Sequence, residues 1–401
     1  MVAQTAQQTK RPRMTFAARQ SHLRPEGAYE VLARSQQLEA QGHSIIHLEV
    51  GEPDFNAPPN AALAGIQAIA SGQTRYVPPA GLTKLREVIA EVAGKRRGIS
   101  VSPKQVLVSP GAKPTMFFPI LTLVEPGDEV IYPDPGFPTY EAILPVVGAV
   151  PKPVPLLESK GFSFDLDAFD RLMNDRTRMI ILNSPSNPTG GVIPLKDLEH
   201  IANAARRYDC WVMSDEIYTQ IVFDGQTAVS IASLPGMADR TIIVDGFSKT
   251  YAMHGWRLGY GIMPEALAER VRLFFTHGFG CTAQASQIAA IEALTGPQGH
   301  VAMMVEQYQK RREIIVDGLN KLPGIRCQKP QGAFYVFPNI QRTGKSSQEI
   351  ANLFLDNGVA LLPGSAFGKF GEGYLRLSYA NSIPNIQLAL ERMAQALAKL
   401  S

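Results

Sequence analysis

Two cations stand close together in one stretch, Thr241-Ile-Ile-Val-Asp-Gly-Phe-Ser-Lys249-Thr-Tyr-Ala-Met-His-Gly-Trp-Arg257-Leu-Gly-Tyr260. The stretch opens as a β-branched apolar run, which reads as a buried strand, and breaks at Gly246. A lysine just past the end of a buried strand loses hydration. Its pKa falls, and its amine becomes a nucleophile able to form a Schiff base. A fixed guanidinium nearby, Arg257, suits a phosphate. The plain alternative is a surface lysine and arginine flanking a turn, and the rest of the chain decides between the two.

Several other residues sit at strand ends or breaks. Ile45–Val50 alternates like a strand and runs into Gly51-Glu-Pro-Asp-Phe55, where backbone can approach a ligand; an ordinary strand-ending turn reads the same way. Gln105–Ser109 reads as a strand and Pro114–Val124 as a helix. Between them, Gly111, Ala112 and Lys113 make a glycine turn before a helix N-terminus, a ready anion site that many α/β turns also resemble. Phe137 is a loop aromatic among prolines, suited to stacking or to core packing. Met179–Asn183 reads as a strand followed by a loop holding Asn187. The run from Trp211 ends in Asp215 with Tyr218 beyond it, and open α/β sheets place ligand contacts at such strand ends. Arg376 interrupts the apolar strand Tyr374–Tyr379; it needs either a substrate carboxylate or a structural ion partner.

The elements that must position these residues are strands alternating with helices. Helical spacing covers Pro25–Gln41, Pro59–Ser71, Leu82–Lys95, Leu195–Tyr208, Ala283–Leu294, Gln298–Leu322, Ser347–Asn357 and Ile383–Leu400. Gln331–Phe337 and Val359–Leu362 read as strands. The pattern argues an α/β fold with a mostly parallel sheet covered by helices on both faces. At 401 residues the chain suggests two or three domains. Hydrophobic content of 45% and charged content of 19% mark it as globular. A net charge of +3 is too small to imply nucleic acid or a membrane surface. Cys210, Cys281 and Cys327 are too few and too scattered for a metal pattern or a disulfide framework, so a cytoplasmic setting is expected. No apolar run reaches membrane-spanning length. Residues 1–13 read as a flexible tail.

Ser248-Lys249-Thr-Tyr-Ala-Met-His-Gly-Trp-Arg257-Leu-Gly resembles the cofactor-lysine signature of pyridoxal-phosphate-dependent aminotransferases, the aspartate aminotransferase-like class I/II family. The resemblance runs from Gly51 to Arg376 with every element in family order. It implies the aspartate aminotransferase fold: an N-terminal arm and part of a small domain over 14–60, a large cofactor domain over 61–296, a connecting helix over 297–322 and the rest of the small α+β domain over 323–401. It implies pyridoxal 5'-phosphate on Lys249, its phosphate held by Arg257, Ser248 and the loop Gly111, Ala112 and Lys113. Phe137 stacks on the ring, Asp215 keeps the ring nitrogen protonated, and Asn187 and Tyr218 bond the phenolic oxygen. Gly51, Asn187 and Arg376 receive the substrate. Tyr76 reaches across a homodimer to the partner's phosphate, so active sites are shared. Asn187–Pro188 is a candidate cis peptide, as in relatives. One departure stands out: where some relatives have a phosphate-binding serine, this chain has Gly246.

The implied reaction moves an amino group from an L-amino acid to a 2-oxo acid such as 2-oxoglutarate by a ping-pong route. In an aspartate-preferring branch a lysine matching Lys113 binds the distal carboxylate, which tilts the expectation toward acidic substrates. Alanine and aromatic amino acids stay open. Alternatives on the same fold are a β-lyase and a cofactor-sensing regulator, the latter disfavoured by the short segment before Gly51. Gly278-Phe-Gly-Cys-Thr-Ala283 mimics a dinucleotide motif but follows a helix-like stretch. Gly344-Lys-Ser346 lacks the earlier glycine of a phosphate loop. His254 has no neighbour in sequence that suggests a relay, and packing is its expected role.

Overall fold

The computed structural model describes residues 14–23 and 25–399; the expected tail, 1–13, lies outside the described residues. The central sheet has eight strands: β1 (Val106–Ser109), β2 (Glu129–Asp134), β3 (Val150–Leu157), β4 (Ser163–Phe164), β5 (Thr177–Asn183), β6 (Trp211–Asp215), β7 (Thr241–Gly246) and β8 (Gly259–Ile262). Their spatial order is β1-β8-β7-β6-β5-β2-β3-β4. β2, β3, β5, β6 and β7 pair in parallel, while β8 is antiparallel to both neighbours and β4 is antiparallel to β3.

The central strands are buried on both faces, which is why they read as unbroken apolar runs. Alternation sends Met179 and Ile181 of β5 toward Met116, Ile120, Val271 and Phe275 on helices Pro114–Leu123 and Glu265–Gly278. It sends Ile180 and Leu182 toward Leu198, Ile201 and Ala205 on helix Leu195–Arg207. Each such fully buried side chain contributes about 1.5–3 kcal/mol.

β3 and β8 were not expected from the sequence. β3 carries Pro151, Pro153 and Pro155, which argue against a strand. They alternate, and Val150 N–H donates toward Asp128 on the β2 side at 2.8 Å. The three missing donors therefore all face the other edge, where only the short β4 pairs. Other expected strands are shorter than predicted. Gln331–Phe337 is a strand only over Tyr335–Val336, because Gly332 lies against Pro185 and Ala333 turns the backbone at φ +57°. Ile45–Val50 is a strand only at Ile46–His47, and Val359–Leu362 splits into Val359–Ala360 and Leu362–Pro363.

Both ends of the chain meet around a second core. Ile46–His47 pairs in parallel with Val359–Ala360, and Leu375–Ser378 lies between Tyr335–Val336 and Leu362–Pro363. Helices Gly299–Leu319 and Ile383–Leu397 pack on this core through Met304, Tyr308, Ile315, Ile386 and Met393. Among the described residues no helix is long and apolar enough to cross a membrane, and no group of His, Cys, Asp and Glu could hold a metal ion.

Candidate active site

The carboxyl ends of β7, β6, β5 and β2 lie side by side, and each delivers a polar group. Gly246 ends β7, and Lys249 follows within three residues. Its ammonium donates to the Gly51 carbonyl at 2.5 Å and lies 5.8 Å from the Phe334 ring centroid. Burial, with the Arg376 and Arg257 charges, lowers the Lys249 pKa to about 8 against the pull of Glu52. Asp215, the last residue of β6, is 3% exposed. Burial pushes its carboxyl up to about 7, although the Tyr140 hydroxyl donates to it at 2.5 Å and the Ile217 amide at 3.3 Å. Such a carboxylate is stabilised by a cationic partner. Beyond β5, Asn183 accepts from the Asn187 amide at 2.8 Å and donates to the Asp215 carbonyl at 3.1 Å, tying adjacent strand ends together. Asn187–Pro188 is cis.

An anion cradle forms beside this row. Gly111 turns at φ +84°, and a Cβ there would run into the Arg257 guanidinium. A Cβ on Gly259 would lie 2.5 Å from the Ala112 nitrogen. Both glycines are thus required by close approach. Ser109 fixes the turn by donating to the Gly111 carbonyl at 2.6 Å, and helix Pro114–Leu123 starts immediately after Lys113. Arg257 itself sits at φ +53°, a conformation that costs a non-glycine residue energy and tends to mark functional positions. At the helix start Pro114 has no N–H, and the Thr115 and Met116 amides are already bonded to the Ala112 and Lys113 carbonyls, so an anion here would meet the Gly111–Lys113 turn and the Arg257 guanidinium. Gly246 also has a steric reason: a Cβ there would lie 3.0 Å from the Gly259 Cα across the β7–β8 pair, which disfavours the serine of some relatives. Ser248 is buried nearby in sequence.

Arg376, on strand Leu375–Ser378, is 3% exposed, and burial lowers its pKa. Its Nη1 donates to Asn187 Oδ1 at 3.5 Å, its Nη2 to the Glu49 carbonyl, and its Nε is buried without a hydrogen bond. The guanidinium lies 4.8 Å from the Tyr335 ring centroid and 5.1 Å from that of Phe367. Gly51 is pressed against the Tyr335 hydroxyl, leaving no room for a side chain. That hydroxyl shares a 2.8 Å hydrogen bond with Tyr218, whose own pKa burial raises far upward.

Lys113 and Phe137 border the row. The Lys113 ammonium lies 5.3 Å from the Phe137 ring centroid and pairs with Glu26. Phe137 meets Tyr140 edge-on at 5.7 Å. Tyr76 is not gathered in: it is 98% exposed. His254 is part-buried, with Nε2 3.6 Å from Glu52 and Nδ1 buried and unbonded, so it is not a simple packing residue. Sequence reasoning missed Tyr140, Tyr335, Asn183 and Glu26. Tyr140 had a usable signal, since it falls one helical turn after Phe137 in helix Pro138–Ile143. The others act through contacts distant in sequence.

The donor set fits a phosphorylated pyridine aldehyde: a cradle for the phosphate, a buried carboxylate for the ring nitrogen, a hydroxyl pair at Tyr218, and a lysine of lowered pKa. The unbonded Arg376 Nε fits a carboxylate beside it. The profile of the family described as aminotransferase class I and II matches residues 43–393. The aspartate aminotransferase of Pyrococcus abyssi is 40% identical over 88% of this chain and 92% of its own. The aromatic-amino-acid aminotransferase 2 of Thermococcus litoralis is 39% identical over 89% and 93%. The structure of the Thermus thermophilus aspartate aminotransferase with maleate superposes with a TM-score of 0.92 at 34% identity, covering 96% of this chain and all of that one.

Proposed function

The chain belongs to the class I and II aminotransferases, and on that premise we propose that it carries pyridoxal 5'-phosphate on Lys249 and moves the amino group of an L-amino acid to a 2-oxo acid, 2-oxoglutarate among them. The observation that carries this reading is the Lys249 amine: it follows just beyond the end of a buried strand, it is held against the Gly51 carbonyl with its pKa lowered to about 8, and it belongs to the same strand-end row as Asp215.

The cofactor, when bound, supplies an electron sink for the charge left on the substrate α-carbon. Arg257 with the Gly111, Ala112 and Lys113 turn and Ser248 would hold the phosphate. Asp215, kept in place by Tyr140, would hold a proton-bearing ring nitrogen. Phe137 would face the ring, and Tyr218 and Asn187 would hold its phenolic oxygen. Arg376 exchanges its weak contacts for the two parallel bonds of an α-carboxylate, with Asn187 and Gly51 beside it. The substrate amine would take the place of Lys249 on the cofactor, and the freed Lys249 Nζ would then take the α-proton and return it to the neighbouring carbon, a task suited to an amine whose pKa is lowered to about 8.

A homodimer with shared active sites completes the reading. Helix Pro59–Ala70 leaves Leu63, Ile66 and Ile69 54%, 63% and 61% exposed at helical spacing, just before the exposed Tyr76. Apolar stripes of this kind mark interfaces, and Tyr76 would enter the partner's site. The division into a 61–296 cofactor domain, a 297–322 connecting helix and a small domain from 14–60 and 323–401 belongs to the same proposal. The free cysteines suit a reducing, cytoplasmic setting.

The test loads the protein with pyridoxal phosphate and adds single amino acids, following visible absorbance, 2-oxo acid and ammonia. Wild type should release 2-oxo acid without ammonia, and Lys249→Ala should lose transamination. Wild-type turnover by Lys249→Ala would sink the assignment, and ammonia with pyruvate from a cysteine-like substrate would make the enzyme a β-lyase.

A further inference from the structure

Lys113 borders the Phe137 side of the site, and a carboxylate from elsewhere in the chain already holds it. Glu26, 87 residues earlier, pairs with the Lys113 ammonium and accepts from the Thr139 hydroxyl at 3.5 Å. Glu26 immediately precedes helix Gly27–Ala40, yet its side chain makes no capping bond there. It reaches across to Lys113 instead. The pair is part-exposed, at 47% for Lys113 and 27% for Glu26, and such pairs are weak. The helix behind Glu26 has only Ser35 fully buried, while its Ala28 and Val31 pack part-buried against the core and its Arg34 bonds to Asn352 and Asp356. A cavity of about 310 Å³ opens along it, lined by Glu30, Arg34, Asn352 and Leu355 among others. The Glu26 side chain, itself part-exposed, can leave Lys113 without moving that helix.

We propose that Glu26 is a specificity-determining residue, its carboxylate occupying on Lys113 the position that the distal carboxylate of a dicarboxylic substrate would take. The inference rests on the aminotransferase reading above. With an apolar substrate side chain, Glu26 stays paired with Lys113. With an acidic one, the substrate carboxylate must displace Glu26 and meets its repulsion first. Glu26 thereby narrows the advantage that Lys113 alone would give to dicarboxylates and lets one site accept both classes.

The test uses the cofactor-loaded protein and two non-reacting acids, succinate and 3-phenylpropionate, with dissociation constants from titration calorimetry. Glu26→Gln should shift the ratio of the two constants about fivefold toward succinate at low salt, and less at high salt. In a Lys113→Met background the same substitution should leave the ratio where it was. An unmoved ratio beside an intact Lys113, or a shift that survives Lys113→Met, overturns the proposal. Glu26→Ala reads the same ratio if the glutamine variant fails to fold. Amino-group transfer is scored separately: a protein that binds both acids but transfers from no amino acid fails as an aminotransferase, while the succinate ratio still decides the role of Glu26.

Discussion

Asp215 and Glu216 are neighbours at the end of β6, and they enter two different charge clusters. Glu216 turns to Arg97, which binds its Oε2 at 2.5 Å and Asp245 Oδ2 at 2.6 Å. Ser214, Ser230 and Tyr260 donate to the same two carboxylates. Burial works to lower the Arg97 pKa, and the two carboxylates outweigh it and raise it far upward. Asp215 turns to the row holding Lys249 and Arg376. There burial prevails: Asp215 rises to about 7, Lys249 falls to about 8 and Arg376 is lowered. Among the described residues Arg376 makes no ion pair, though the buried Glu49 carboxylate is near enough to act on it through space. One cluster is electrically complete within the chain. The other becomes complete with an anion on Arg376 and a cation on Asp215. A buried charge that its own chain satisfies is structure, and one it leaves partly satisfied is a binding group.

The largest effect should come from opening the closed cluster. Arg97→Met leaves two buried carboxylates unpaired and should cost about 3–5 kcal/mol of stability. Adding Glu216→Gln and Asp245→Asn should recover much of it, both being read by chemical denaturation. A loss under about 1 kcal/mol would mean that the triad is not the tie its geometry describes. Arg376→Met should do the reverse. It removes an incompletely partnered buried charge, so the unfolding temperature should stay level or rise. The catalytic cost should be about a hundredfold to a thousandfold in kcat/KM for every amino acid tested, or about 2.7–4 kcal/mol. A lowered unfolding temperature with intact kcat/KM would make Arg376 structural and erase the contrast.

Sequence reading distinguished these clusters unevenly. Lys249, Arg257 and the Gly111 turn were legible because they are local: a strand, a break and a charge within a few residues. Arg376 was legible because an arginine in an apolar strand demands a partner, but its aromatic flanks Tyr335 and Phe367 come from other elements. Arg97 was not legible at all. It lies in the basic last turn of helix Thr83–Arg97 beside Lys95 and Arg96, and only its distant carboxylates separate it from a solvated surface charge. β3 was hidden by prolines whose harmless side depends on which edge pairs. Long-range contacts, rather than weak local propensity, account for most of what was missed.

Asp134 tests the comparison where the effect should be smallest. It is a buried carboxylate at the end of β2, with backbone donors and no cation in its hydrogen bonds: the Lys369 amide at 3.1 Å and the Phe370 amide at 3.0 Å. Gly368 leaves no room for a side chain beside it. Burial pushes its pKa up to about 6, those amides partly opposing the rise. A carboxyl raised above its unfolded value of about 3.9 binds its proton more tightly in the folded state. Its contribution to stability is therefore full below about pH 4 and is lost as pH rises through about 6. Asp134→Asn cannot titrate. Wild-type stability relative to this variant should fall between about pH 4 and pH 7, and subtracting the variant cancels the similar drift of Asp215. A difference that stays flat would mean that two backbone amides satisfy this carboxylate as fully as Arg97 satisfies Asp245. The line between the closed and open clusters would then follow hydrogen bonding in general, rather than the presence of an opposite charge.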